Sequence, residues 1–353
     1  MGTSDGAVLG STQIVNKGST AERFNLVLVS EGYQANQMAQ FASDAQAFVT
    51  TLDATAPFTD FRCAFNVFRV DVTSADSGAD DPAACGGTGA TARTYFDASF
   101  CNAGIRRLLE CDTASVRNVV GRLVPAWHQL LVLVNSPVYG GSGGTIATFA
   151  VNGNWQQVAL HEMGHAAYGF ADEYEYWAGC GVDPAGSRDH HPAGEPAEPN
   201  VTLDANRATI KWADLIASGT PMPTMPNPDC TQCNRGPSPV PAGTVGAFEG
   251  AHYYHCGCYR PEYECRMRDI GYEFCAVCQR VIRNTMEFYH PCAQLRQEIT
   301  DLEEGLASGE LPPPPRTPAR IAAVRREIET KRRQLPQCIR RCGTGQAVGA
   351  TTG

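Results

Sequence analysis

The stretch NWQQVALHEMGHAAYG, residues 154–169, organises the reading of the whole chain. Asn154 with Gln157 forms a capping pair, Val158, Ala159 and Leu160 are acceptable helix formers, and Gly169 is a natural stop, so the segment predicts a helix. Residues four apart on a helix share one face. His161 and His165 therefore present both imidazoles to one point, while Glu162 lies one position along from the first of them. That is the HExxH pattern, in which two rings bind one metal ion and the glutamate faces a water at the same ion. A tetrahedral zinc site of this class takes three protein ligands and keeps a fourth position open. After Gly169 the chain can swing back, and Asp172 and Glu173 then offer a carboxylate as the third ligand.

Working outward, residues 24–30 (Phe-Asn-Leu-Val-Leu-Val-Ser) read as a buried strand, followed by an amphipathic helix over about 36–54 and a second strand at 65–72. This order predicts a βαβ opening. A Gly/Asp/Ala-rich loop at 73–93 leads to expected helices near 103–110 and 113–121, and Leu130–Val134 reads as a third strand. Gly140, Gly141, Gly143 and Gly144 read as a flexible turn before Thr145–Val151, an expected strand at the sheet edge that would receive an extended peptide. Residues 178–245 are loop-rich, with a helical pattern only near 205–217. Beyond Tyr289, Leu295, Ile299, Leu302 and Leu306 keep a helical spacing; Pro312–Pro315 break it, and Ile321, Val324, Ile328 and Leu335 resume it. The expected architecture is a mixed α/β (α+β, zincin-like) domain over 1–289 and an antiparallel helical hairpin with a tail over 290–353. Cys292, Cys338 and Cys342 lie at the open end of that hairpin, where a disulfide would close it.

Composition narrows the function classes. The chain has 353 residues, 43% of them hydrophobic, enough for one sizeable catalytic domain with an appendage. A formal net charge of −9, with basic residues gathered toward the C-terminus, carries no nucleic-acid footprint. No run approaches the roughly 20 apolar residues of a membrane span. Fifteen cysteines suit an oxidising compartment, so the expectation is an exported protein whose leader has been removed. An odd count leaves at least one thiol over, or pairs it with another molecule, or commits some cysteines to metal.

HEMGHAAYGFADEY, over 161–174, resembles the signature of the M64 peptidases, a family that includes bacterial immunoglobulin A endopeptidases within the metzincin-like zincins. LVLVSEGY at 26–33, NVFRVDV and SGADDP within 66–82, PNVT at 199–202, FEGAHYY at 248–254, YRP at 259–261, and CRMR with FCAVC within 265–278 resemble the same family. The likeness spans roughly residues 20–290 and excludes the helical tail. It implies His161 and His165 as zinc ligands, Glu162 as general base, and Met267 as the methionine beneath the metal. For the third ligand it points to the Asp172–Glu173 pair. Metzincins usually place this ligand six residues after the second His, which here is Ala171; Asp172 is the choice and Glu173 the alternative. Tyr168 stands where the family often has a small residue.

Smaller expectations complete the reading. Tyr259 and Tyr272 are candidates to place a phenol near a developing oxyanion, against a plain structural role. Cys230-x-x-Cys233 and Cys275-x-x-Cys278, with Cys256, Cys258 and Cys265 between them, have the spacing of zinc knuckles, although disulfides are the simpler use in an exported chain. Asp71, Asp76, Asp80 and Asp81 offer oxygens to a calcium ion, against a solvated loop. Asn200-Val201-Thr202 fits a glycosylation acceptor. The expected activity is zinc-dependent hydrolysis of internal peptide bonds in a protein or peptide substrate. The alternatives are an exported binding module that a metal merely stabilises, and a zinc amidase or exopeptidase.

Overall fold

The structure is a computed structural model that describes residues 5–309 and 317–343. Its centre is a six-stranded sheet. The strands are β1 (Gly6–Val15), β2 (Phe24–Glu31), β3 (Phe65–Ser74), β4 (Gln129–Val134), β5 (Gly141–Ser142) and β6 (Ala147–Ala150), in the spatial order β1-β3-β2-β4-β6-β5. β3, β2, β4 and β6 run parallel, and β1 and β5 close the two edges antiparallel. All eight residues of β2 are buried, because both faces of the sheet are covered. The alternation sorts them: Leu26 and Leu28 face one core with Leu131, Leu133, Ala147 and Phe149, whereas Val27 and Val29 face the other with Val70, Val72, Leu130 and Val132.

The first face carries α1 (Met38–Ala54) and α3 (Trp155–Tyr168), with α4 (Ala276–Glu287) contributing Val277, Ile282 and Met286 to the same core. The opposite face carries α2 (Thr113–Leu123), whose start is capped by Asp112 accepting from the N–H groups of Ala114 and Ser115. The βαβ opening is present as β2-α1-β3, and α3 follows β6 directly. Phe149 of β6 stacks on Trp155 of α3 with ring centroids 5.9 Å apart, which fixes the start of the helix against the sheet.

Three expectations about elements are corrected. Residues 103–110 are not a helix: Cys101, Ala103 and Gly104 have φ of 72°, 50° and 75°, and Cys101 is tied to Cys85 by a disulfide. Leu109 is then drawn into the second core while Glu110 pairs with Ser99. The region 205–217 holds only a short 3-10 turn at Ala213–Leu215, since burying Trp212 and Ile210 against the first core takes precedence over the local helical pattern. The strand before the motif helix is not the outermost one, because Gly141–Ser142 pairs antiparallel outside it. β1, which the sequence reading did not anticipate, edges the other side of the sheet.

A two-stranded antiparallel sheet, β7 (Phe248–Ala251) and β8 (Tyr254–Arg260), stands beside the turn that carries Asp172. At the end of the chain α5 (Ala293–Ser308) packs on α6 (Pro318–Gly343) through Ile299, Val324 and Ile328, a cluster separate from the two sheet cores. Cys292–Cys338 closes that hairpin. Its expected break at Pro312–Pro315 lies outside the described residues.

Candidate active site

Helix α3 runs from Trp155 to Tyr168 and stops where Gly169 adopts φ 66°, with its N–H returning to the His165 carbonyl. The expected cap is only half present. Asn154 is the N-cap residue but makes no side-chain bond there. The chain then turns back beneath the helix, and Phe170 N–H reaches the Gly164 carbonyl at 3.2 Å. This return places Asp172 opposite both imidazoles. His161 Nε2 and His165 Nε2 are 3.2 Å apart, and Asp172 Oδ1 is 3.0 Å from the first and 3.2 Å from the second.

The far side of each ring decides its proton. His161 Nδ1 lies 2.9 Å from the Arg266 carbonyl and His165 Nδ1 lies 2.6 Å from the Phe170 carbonyl. A carbonyl only accepts, so both Nδ1 atoms carry hydrogen and donate. In the neutral rings both Nε2 lone pairs then point at each other and at a carboxylate oxygen that has no hydrogen-bond donor. Such a set repels itself unless a cation lies between its members. Tetrahedral bonds of roughly 2.0–2.1 Å space their ligand atoms roughly 3.3 Å apart, close to the observed triangle. The donor set therefore fits a divalent ion of the zinc class.

The local field agrees. Burial works against a charged His165, yet the Asp172 carboxylate outweighs it and holds that ring at about 9. Burial would likewise raise Asp172, but His165 and His161 hold it well below the usual carboxylate range. The same negative potential that favours a proton here favours a metal ion. Burial pushes the Glu162 carboxyl up from its ordinary range against the pull of His161 and His165, the environment of a carboxylate able to exchange protons.

Asp172 is held by residues that sequence reasoning missed. Tyr174 and Tyr253 each donate a phenol hydrogen bond to Oδ2 at 2.7 Å, leaving Oδ1 to face the two imidazoles. Arg107 in turn donates to the Tyr174 phenol at 3.2 Å and to the Trp177 carbonyl at 3.0 Å. Tyr253 comes from the β7–β8 turn, where His252 and Tyr253 adopt φ of 53° and 71° and His252 N–H donates to the Asp172 carbonyl. Tyr174 ends the quoted signature and Tyr253 lies within FEGAHYY, but neither stretch by itself assigns the phenol a role. Tyr253 arrives through long-range pairing that no spacing announces.

Asn200 is corrected from a surface acceptor to a buried clamp. It is fully inaccessible, accepts from Ala171 N–H at 2.8 Å, and donates to the Ala171 carbonyl and to Glu173 Oε1, each at 2.9 Å. Glu173, the alternative third ligand, points away from the imidazoles toward Cys265, Cys275 and Cys278. Met267 is fully buried under the motif helix, where a Cβ on Gly164 would stand 2.7 Å from its sulfur. Gly164 thus lets the helix rest directly on that methionine.

The open side is a cavity of about 1020 Å³ bordered by β5, Tyr139, Arg107, Glu162 and Tyr253. β5 lies very close to the helix: a Cβ on Gly141 would come 2.8 Å from Glu162 Oε1, and one on Gly143 would come 2.4 Å from His165 Cβ. The glycine run is a close-approach surface, not just a turn. Tyr259 and Tyr272 do not line this cavity; Tyr259 lies on β8 beside Glu249, and Tyr272 is exposed on the surface.

The remaining candidates separate by their partners. Cys230 is bonded to Cys256 and Cys233 to Cys180, so the first knuckle spacing belongs to disulfides. Asp71 pairs with Arg69, Asp76 with Arg93 and Asp81 with Arg106, and Asp80 accepts from Ala92 N–H. Among the described residues these aspartates form no ligand group, and the calcium expectation is withdrawn. No helix of the described residues is long and apolar enough to cross a membrane.

A family model described as IgA Peptidase M64 matches residues 12–236 and 238–286, most of the chain. A comparison with curated proteins found no match.

Proposed function

Because the chain belongs to the M64 peptidase family, we propose that it is a secreted, zinc-dependent endopeptidase with its reaction centre at His161, Glu162, His165 and Asp172. The observation that carries this reading is the convergence of two bare Nε2 atoms and one carboxylate oxygen beside the buried Glu162. Held there, a zinc ion supplies Lewis-acid polarisation of the scissile carbonyl and lowers the pKa of a water to about 7.

The chain's own residues do the rest. Glu162 takes a proton from the attacking water as the new C–O bond forms and then passes it to the leaving amine, so that the peptide C–N bond breaks as the carbonyl is restored. Asp172 neutralises charge while its second oxygen stays tied to Tyr174 and Tyr253. The Tyr139 phenol and the Arg107 guanidinium, both on the cavity wall, are the donors offered to the developing oxyanion. Gly141 of β5 and the neighbouring Gly143 bring the backbone within contact of Glu162 and His165, and an extended substrate segment lies in the cavity over them; the outward N–H and carbonyl of Gly141 are already paired with Arg107 and Leu109.

Residues 1–289 form the catalytic unit in this reading, and 290–353 a hairpin appendage. Export accords with the disulfides seen among the described residues, Cys85–Cys101, Cys180–Cys233, Cys230–Cys256 and Cys292–Cys338. The test is cleavage-site mapping on a denatured protein mixture with the wild type and Glu162→Ala. Internal cuts by the wild type and a loss of roughly 10²–10⁴-fold in the variant are expected. Equal activity, or terminal trimming alone, refutes the proposal.

A further inference from the structure

Behind the turn that carries Asp172, Glu173 projects the opposite way into an enclosed group of three cysteines. Glu173, Cys265 and Cys278 are fully inaccessible and Cys275 nearly so. None of the three thiols is in a disulfide, although other cysteines of the chain are paired. The Cys265 and Cys278 sulfurs are 3.9 Å apart, and Glu173 Oε1 lies 3.7 Å from the Cys278 sulfur and 3.9 Å from that of Cys275. A disulfide requires sulfurs about 2.05 Å apart. A tetrahedral zinc with Zn–S bonds of about 2.3 Å spaces its sulfurs roughly 3.8 Å apart. The observed spacing is that of the edges of a ligand tetrahedron.

The surroundings are prepared for negative sulfur. Met267 N–H and Cys275 N–H point at the Cys265 sulfur at 3.5 and 3.3 Å, and Cys278 N–H points at the Cys275 sulfur at 3.4 Å. Cys275 is also the N-cap of α4, where the helix dipole favours thiolate. Glu173 Oε2, buried in the same place, has no hydrogen-bond partner. The carboxylate thus turns Oε1 to the thiols and leaves Oε2 buried and orphaned, a costly arrangement without a cation. The buried Arg260 lies close enough to act on Glu173, offsetting part of the surplus negative charge of such a ligand set.

Among the described residues, the other two clusters outside the reaction centre are already satisfied. The sulfurs of Cys230 and Cys256 beside His190 are joined to each other. Of His191, His252 and Cys258, His191 Nδ1 donates to the Pro192 carbonyl, so its Nε2 accepts from His252 Nδ1 at 3.0 Å.

We propose that Glu173, Cys265, Cys275 and Cys278 form a second metal site, a closed four-ligand structural site of the thiolate-rich class that takes zinc. This site stands independently of the proposed reaction centre. It fastens the residue after Asp172 to the loop whose Arg266 carbonyl orients His161, and both to the start of α4. The ion thereby acts as a positioning element for the third-ligand turn and the methionine floor.

The test uses the full chain purified with zinc and, in parallel, loaded with cobalt(II). Metal analysis should show that Cys275→Ser/Cys278→Ser loses one equivalent per chain relative to the wild type. His161→Gln/His165→Gln should lose a different one while keeping the thiolate-to-cobalt charge-transfer absorption that the cysteine variant lacks. Should the cysteine variant not fold, the wild type alone still decides. Its three thiols should resist alkylation until chelator and denaturant are both added, then all react as free thiols. A disulfide mapped within this trio, or cobalt-loaded wild type without thiolate charge transfer, overturns the proposal.

Discussion

Asn200 and Ala171 are joined by two hydrogen bonds, the amide side chain accepting from the backbone N–H at 2.8 Å and donating to the carbonyl at 2.9 Å. This pair holds the residue that immediately precedes Asp172 in the returning chain. Asn200→Ala leaves the Ala171 N–H and carbonyl without a partner and removes the amide donor to Glu173 Oε1. We expect a loss of about 2–4 kcal/mol in unfolding free energy and zinc binding weaker by roughly 10–100-fold. Urea denaturation and chelator competition measure the two effects; unchanged zinc affinity would show that the clamp does not position Asp172.

Gly143 touches the motif helix so closely that a methyl group has no space beside His165. In Gly143→Ala either β5 or the imidazole must shift, and a displacement near 1 Å costs about 10²-fold in a reaction that depends on alignment. The expected result is a fall of that order in kcat/KM with a folded protein by circular dichroism. Wild-type kinetics in the alanine variant would separate β5 from the reaction.

Much of this centre is legible in residues 154–174, because a helix converts a spacing of four directly into a shared face. Its start, its stop at Gly169 and the strands β2, β3 and β4 follow equally from local pattern. What fails is whatever depends on contacts distant in sequence. Asn200 reads as a surface acceptor from three residues, and only its burial against Ala171 and Glu173 reveals its use. The helical pattern near 103–110 loses to a disulfide at Cys101 and to the burial of Leu109. β1 is half-exposed along much of its length, and its polar residues mask the alternation that marks a buried strand.

Tyr253 tests the long-range part of the site. Its phenol and that of Tyr174 share Asp172 Oδ2, so Tyr253→Phe removes one of two donors while keeping the ring. Zinc affinity should fall roughly 10-fold, and Tyr174→Phe/Tyr253→Phe should fall further than either single change. Equal affinities across the series, read by competition with a chromogenic chelator, would remove the phenols from the account.

Glu31 gives the fold a pH signature away from the reaction centre. It is fully inaccessible, and although it accepts from the N–H groups of Phe96 and Ala98, burial pushes its carboxyl up to about 7 from an ordinary 4.5. The folded state therefore holds the proton more tightly than the unfolded chain. Its contribution is fully present below pH 4.5 and is lost as pH rises through about 7, at most about 3 kcal/mol. Glu31→Gln should flatten this part of the stability profile measured by urea unfolding. A variant whose profile parallels the wild type across that window contradicts the assignment.

The most direct measurement is anomalous diffraction from crystals of the zinc-loaded chain at the zinc absorption edge. The account predicts a peak at roughly 2.0–2.2 Å from His161 Nε2, His165 Nε2 and Asp172 Oδ1, with Glu162 facing the remaining position. Rings turned away from each other, or a map with no peak between these three atoms, would contradict it.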